Sequence, residues 1–166
     1  MIVKLICEDY YGYDFFSSLI GRLKASNNAS RQLHVNNGRV PPICNHKLDR
    51  VLKADTSSDK IIIIADGDGD SLKVRKNLDS HVPAVKKATV EIIVFEFEIE
   101  EWVCKSLKLD FHGTKPSECL SMLSRKKGSA KSPYHHKDLP SYSSKIDIPL
   151  LLRTDQHFQR FVSCLK

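Results

Sequence analysis

The chain has 166 residues, 41% of them hydrophobic and 28% charged, proportions ordinary for a globular protein and sufficient to bury a core. No apolar run approaches a membrane span, and Met1 leads almost directly into the strand-like Ile2–Cys7 with nothing resembling a signal peptide. The cysteines Cys7, Cys44, Cys104, Cys119 and Cys164 are odd in number, scattered and never spaced C-x-x-C, which excludes a disulfide frame or a zinc knuckle and predicts thiols in a cytoplasmic protein. A net charge of +6 favours an anionic partner, nucleic acid first, while acid is concentrated around residues 55–101.

In chain order, Ile2–Cys7 predicts a first strand ending at Glu8-Asp9. A helix is expected from about Asp14 to Lys24, because Phe15, Phe16, Leu19, Ile20 and Leu23 recur at helical spacing. Arg31–Val35 reads as a second strand, followed by a loop through Asn36-Asn37-Gly38 and Pro41-Pro42. Cys44–Ala54 suits a short helix, Ile61–Ile64 a strand, Ser71–Leu78 a helix and Val90–Phe97 a strong strand. This βαβαβαβ order predicts an α/β fold with a parallel sheet and helices on both faces. Beyond it, helices are expected over Ile99–Leu107, Pro116–Leu123, Ser144–Arg153 and Gln156–Leu165, with a basic loop over Arg125–Tyr134. The whole chain reads as one domain, a core of about 1–110 carrying a helical C-terminal extension of about 111–166.

The organising stretch is Ile61-Ile62-Ile63-Ile64-Ala65-Asp66-Gly67-Asp68-Gly69-Asp70. Consecutive β-branched residues, apolar on both faces, mark a central parallel strand. Ligands of such sheets bind just beyond the carboxyl ends of the strands, where three aspartates here alternate with glycines. Carboxylates so placed repel one another unless a cation sits among them, and Mg²⁺, or Mn²⁺, is the economical choice. Asp-Gly pairs are equally the material of solvated turns. An EF-hand is excluded, because Ser71 and Asn77 stand where its glycine and glutamate belong.

Acid also closes the first strand at Glu8 and recurs in the run Glu96-Phe97-Glu98-Ile99-Glu100-Glu101-Trp102. In a parallel sheet the three groups converge on one edge. A glutamate closing the first strand and Asp-x-Asp closing a later one resemble the Toprim domain of topoisomerases, bacterial-type primases and OLD-family nucleases. Glu98, Glu100 and Trp102, the stretch Tyr142-Ser143-Ser144-Lys145 and the final Phe158…Phe161 helix resemble short prokaryotic Toprim-like proteins met near phage-defence systems.

The resemblance implies a Rossmannoid, Toprim-like fold and Mg²⁺-dependent phosphoryl transfer on nucleic acid. Glu8 would be the general acid/base or metal-bridging residue, Asp66 and Asp68 the metal pair, and Glu98 or Glu100 the extra acid for a second ion, with Asp70 in support. The usual glycine after the first glutamate is replaced by Asp9, and no tyrosine-bearing cleavage domain is present, which excludes a topoisomerase.

Other residues carry two readings each. Glu96, Glu98 and Glu100 alternate with apolar residues as in a half-exposed strand, and Trp102 reads as core. Arg125, Lys126, Lys127 and Lys131 suit either a solvated loop or a nucleic-acid grip. Lys145 could steady transition-state charge or simply open a helix, and His135-His136 could ligate a metal or shuttle protons but, as adjacent residues, reads better as loop surface. The expected function is a small Mg²⁺-dependent nuclease acting on DNA or RNA. The alternatives are a non-catalytic metal-binding or partner subunit, as of an ATPase in a larger complex, and a phosphatase of small phosphate esters. A domain this small gains substrate grip by forming a homodimer.

Overall fold

The computed structural model describes residues 1–39, 46–126 and 133–166. Four strands, β1 (Ile2–Cys7), β2 (His34–Arg39), β3 (Lys60–Ala65) and β4 (Val90–Val94), form one sheet in the order β2-β1-β3-β4, every pair parallel. The helices among the described residues are α1 (Tyr10–Ala25), α2 (His46–Ala54), α3 (Ser71–Ser80), α4 (Glu100–Ser106), α5 (Pro116–Lys126), α6 (Leu139–Tyr142), α7 (Ile148–Thr154) and α8 (Gln156–Ser163). The fold is α/β and Rossmann-like, as the element order predicts.

The sheet buries both faces because alternate strand residues point to opposite sides. On one side Val3, Leu5, Ile62, Ile64 and Ile93 pack with α1 and with the helices after residue 100. Trp102 is the hub of that side, fully buried, with its ring 4.9 Å from both Phe95 and Phe158 and 5.7 Å from both Phe16 and Phe161. Its indole N–H donates to Asp155 at 3.2 Å, so the one polar atom of the side chain is satisfied inside the core. On the other side Ile6, Ile61, Ile63, Ala65, Ile92 and Val94 pack with Leu48 and Leu52 of α2 and Leu78 of α3. No helix among the described residues is long and apolar enough to cross a membrane.

Several boundaries differ from the sequence expectation, each for a local reason. Helix α1 starts at Tyr10, not near Asp14, because the Asp9 side chain accepts the Gly12 amide at 2.7 Å and caps the helix there. Strand β2 spans His34–Arg39, so Asn36-Asn37-Gly38 belongs to a strand and not to a loop; it pairs with β1 alone, and an edge strand needs no apolar pattern. Pro41, Pro42 and Cys44 lie outside the described residues. Strand β4 stops at Val94 instead of reaching Phe97, for reasons that belong to the site. The helix expected from Ser144 starts at Ile148, where Asp147 accepts the Leu150 amide at 2.9 Å and Pro149 occupies the first turn.

One polar tie joins the central strand to the far side of the sheet. Lys4 of β1 contacts Asp55, just after α2, at 2.5 Å, and the same buried carboxylate accepts the Ser58 amide at 2.9 Å and its hydroxyl at 3.0 Å. Against the cost of its burial, the Lys4 and Ser58 hydrogen bonds hold the Asp55 carboxyl down at about 2. A depressed acid contributes stability that is complete above its unfolded value and lost as pH falls toward the folded one. Asp55→Asn is therefore expected to cost roughly 1–2 kcal/mol at neutral pH and to narrow that difference between about pH 4 and pH 2, as read by urea titration at each pH.

Candidate functional site

The chain leaves β1 into α1 on one face of the sheet and leaves the adjacent β3 into α3 on the other. Such a reversal opens a crevice beyond the carboxyl ends of the two strands. Glu8 follows β1 and Asp66 follows β3, so both stand at its mouth.

The acidic loop after β3 is shaped by the loop after β4. The amides of Gly67 and Asp68 both donate to the Phe97 carbonyl at 3.0 Å, and the Gly69 amide donates to the Glu96 carbonyl at 2.8 Å. In return the Ile99 amide donates to the Asp66 carboxylate at 3.0 Å. Gly67 is required by this approach, because a Cβ there would stand 2.1 Å from the Phe95 carbonyl oxygen. Gly69, with φ +87°, and Asp68, with φ +48°, complete the turn in the left-handed region. The same pairing explains why β4 ends early: residues 95–99 turn back to serve the neighbouring loop. Glu98 and Glu100 therefore do not alternate along a strand as their spacing suggests. Glu98 lies in the turn, and Glu100 opens α4.

Each acid then meets a different partner. Asp66 is half-buried, and burial, Glu8, Glu100 and Glu98 together push its carboxyl up to about 8 against the opposing Ile99 amide. Burial also raises Glu8, which accepts the Asp66 backbone N–H. Glu98 accepts the Ser117 amide at 2.6 Å in the first turn of α5. Asp68, exposed, contacts Lys115 at 3.1 Å. Asp70 caps α3 by accepting the Lys73 amide at 3.2 Å. Glu100 is fully buried; its Oε1 accepts the Tyr134 hydroxyl and meets His136 Nδ1 at 2.9 Å, whereas its Oε2 has no hydrogen-bond partner.

His136 is the member that the preference for loop surface sets aside. Its Nε2 meets Asp9 at 2.6 Å while Nδ1 meets Glu100, so the ring bridges the first-strand loop and α4. Held by these two carboxylates, the imidazole is pushed up to about 10 and is a cation at neutral pH. The reading of His135-His136 as loop surface is thus corrected for His136. No local pattern signals the bridge, since Asp9 lies 127 positions away. Lys115 was missed for the same reason.

The structure brings Glu8, Asp66, Asp68, Glu98 and Glu100 to one edge. Lys145 lines a separate groove of about 300 Å³ with Leu107, Leu123 and Tyr142, which contains none of these acids. Arg125 lines a cavity of about 590 Å³ beside Glu98, Glu100, Ser121, Tyr134 and His136. Lys127 and Lys131 lie outside the described residues, as does the side chain of Lys126. No three histidine, cysteine, aspartate or glutamate side chains among the described residues are gathered as a ready-made metal cluster.

Fold and site together define an α/β protein with a carboxylate-rich crevice at the switch point of a parallel sheet. No protein-family model, curated protein or solved structure matches the chain.

Proposed function

We propose that this chain is a Toprim-like, Mg²⁺-dependent phosphoryl-transfer enzyme, a small nuclease acting on DNA or RNA. The observation that carries the reading is the placement of Glu8 after β1 and Asp66 after β3 at the switch point, with Glu98 and Glu100 beside them, and burial and these neighbours push the Asp66 carboxyl up. Such crowding relaxes when a hard cation joins the group. The donor chemistry suits one, since all are carboxylate oxygens and Glu100 Oε2 is buried with no partner, while no three of them are gathered among the described residues, so an ion would have to draw them together. Glu8, Asp66 and Asp68 would hold the ion, with Glu98 and Glu100 beside it, and Mn²⁺ would suit the same donors. When bound, a divalent ion supplies charge stabilisation to the attacking and leaving oxygens of an in-line displacement. The chain's own residues hold the rest of the arrangement. The Ile99 amide orients Asp66, His136 fixes Glu100 through Nδ1, and Tyr134, whose phenol burial and Glu100 push far up, remains a neutral donor. Arg125, at the adjoining cavity, is a counter-charge for substrate phosphate.

A second reading has its own support. Glu98 and Asp70 cap helices, and Asp68 is paired with Lys115, so several of the acids already serve the fold. A non-catalytic partner subunit of a nucleic-acid-processing complex would use them in that way. Calorimetry with Mg²⁺ and Mn²⁺ on the wild type and Asp66→Ala/Asp68→Ala, alongside plasmid nicking, separates the two. The nuclease reading expects metal binding and nicking that both vanish in the variant. Binding without nicking supports the partner subunit, and no binding by the wild type overturns the metal centre.

A further inference from the structure

Large apolar side chains exposed singly on a surface carry no message, but a set collected around one site does. The described residues expose five: Tyr10 at 57%, Tyr11 at 40%, Leu72 at 80%, Val85 at 85% and Met122 at 44%. Three of them follow the acidic loops directly in the chain, and a fourth lines the adjoining cavity. Tyr10 and Tyr11 open α1 two and three positions after Glu8, and Leu72 lies in the first turn of α3 just past Asp70. Met122 lines the cavity shared with Glu98, Glu100 and Arg125. Val85 is apart, in the turn that precedes β4.

The tyrosines are placed for more than packing. Tyr11 meets the His136 ring edge to face, with centroids 5.8 Å apart, and His136 in turn lines the cavity. Through that ring contact the start of α1 adjoins a cavity of about 590 Å³, within the size range of small-ligand sites, whose lining includes Glu118 and Arg125 and neither tyrosine. A base stacked in a duplex cannot offer its face to a side chain, whereas an unpaired base can, and base–aromatic stacking is tolerant of sequence. Exposed phenol rings beside a centre that crowds carboxylates suit a polymer presenting flat apolar bases along an anionic backbone. The cationic Arg125 and the surplus positive charge of the chain serve that backbone.

We infer that the crevice takes unpaired nucleic acid, with Tyr10 and Tyr11 as the stacking platform for its bases. The inference rests on the nuclease reading and adds to it the strand state of the substrate and the residues that grip it.

The test uses fluorescence anisotropy with Ca²⁺ in place of Mg²⁺, to keep the labelled strand from being cut, and an oligothymidylate of about 12 nucleotides, alone and annealed to its complement. The proteins are the wild type, Tyr10→Ala/Tyr11→Ala and Tyr10→Phe/Tyr11→Phe. Single-strand affinity is expected to exceed duplex affinity, to fall about tenfold or more in the alanine pair and to survive in the phenylalanine pair, which keeps both rings. Duplex affinity should be the same in all three. Equal single-strand binding by wild type and alanine pair overturns the platform and returns this face to a protein partner. So does an equal loss in the phenylalanine pair. If plasmid nicking by the wild type, abolished in Asp66→Ala, accompanies either result, the nuclease reading stands and the platform alone falls. A wild type that binds neither strand nor duplex and nicks nothing overturns both.

Discussion

In the presence of a chelator at pH 8, Asp66→Asn is expected to unfold at a higher temperature than the wild type, and addition of Mg²⁺ should reverse the order. A carboxyl lifted from an ordinary value near 3.8 to about 8 takes up a proton on folding. The stability this contributes is complete below about pH 4 and is lost as pH rises toward 8. Asparagine keeps the oxygen that accepts the Ile99 amide and removes the charge that Glu8, Glu98 and Glu100 oppose. The shift corresponds to several kcal/mol at face value; solvent screening at an open crevice reduces it to roughly 2–3 kcal/mol, or about 5–10 °C in melting temperature. The difference should shrink as pH approaches 4. Mg²⁺ would stabilise the wild type by mass action and leave the variant unmoved. Equal melting temperatures in chelator at pH 8 would show that the carboxylates are too far apart to repel. Differential scanning calorimetry across pH, with and without the ion, provides the measurement.

Gly67→Ala is expected to be the most damaging single-methyl change in the site. The added Cβ would meet the Phe95 carbonyl oxygen at 2.1 Å, the Glu96 carbonyl oxygen at 2.7 Å and Ser71 Cα at 3.0 Å. All three are main-chain atoms, so no rotamer change relieves the clash and the two loops must part. A cost of about 3 kcal/mol or more follows, at the upper end for overpacking. Parting the loops also breaks the three hydrogen bonds from the amides of residues 67–69, so Asp66 and Asp68 should lose their relation to Glu98 and Glu100 even in the fraction that folds. Gly21→Ala makes the control, since nothing lies within 4 Å of its Cβ position and helix propensity favours alanine. Urea titration of both variants measures the contrast. A Gly67→Ala protein as stable as the wild type would mean that the loops are not held together in solution.

Strands β1 and β3, both central, were legible because burial on two faces writes itself as unbroken runs such as Ile61–Ile64. From them followed the parallel order and the edge on which Glu8 and Asp66 stand. The helix that Trp102 anchors was legible by spacing, and its burial was expected. Strand β2 was misplaced because His34-Val35-Asn36-Asn37-Gly38-Arg39 is polar and takes its identity from hydrogen bonding to β1. The run from Glu96 to Glu100 alternates as a strand would, although the helix is already expected from Ile99 and α4 begins at Glu100. Its real form depends on the amides of residues 67–69, nearly thirty positions earlier, which draw its carbonyls into a turn. The bridge from Asp9 through His136 to Glu100 is wholly tertiary, and no spacing rule could have found it. Alternation and periodicity report what a segment buries, and they are silent about what folds back across it.

The seam between the two acidic loops has one more consequence. Its contacts run mostly from amide to carbonyl, joined by two side-chain acceptors, Asp66 for the Ile99 amide and Glu96 for the Ser71 hydroxyl at 2.6 Å, so most of the frame is written in main-chain atoms that every amino acid supplies equally. What the frame demands of the sequence is a glycine at 67, and a residue at ease with positive φ at 68 and 69. The carboxylates hang from it, each on its own partner: Asp68 on Lys115, Glu98 on the Ser117 amide, Glu100 between Tyr134 and His136. Exposed Asp68 could therefore be exchanged while the crevice kept its outline, whereas loss of Glu98 would orphan the Ser117 amide and loss of Glu100 the buried Tyr134 hydroxyl and the His136 bridge. The outline of the crevice and the charge it carries are thus separable at Asp68 and inseparable at Glu98 and Glu100.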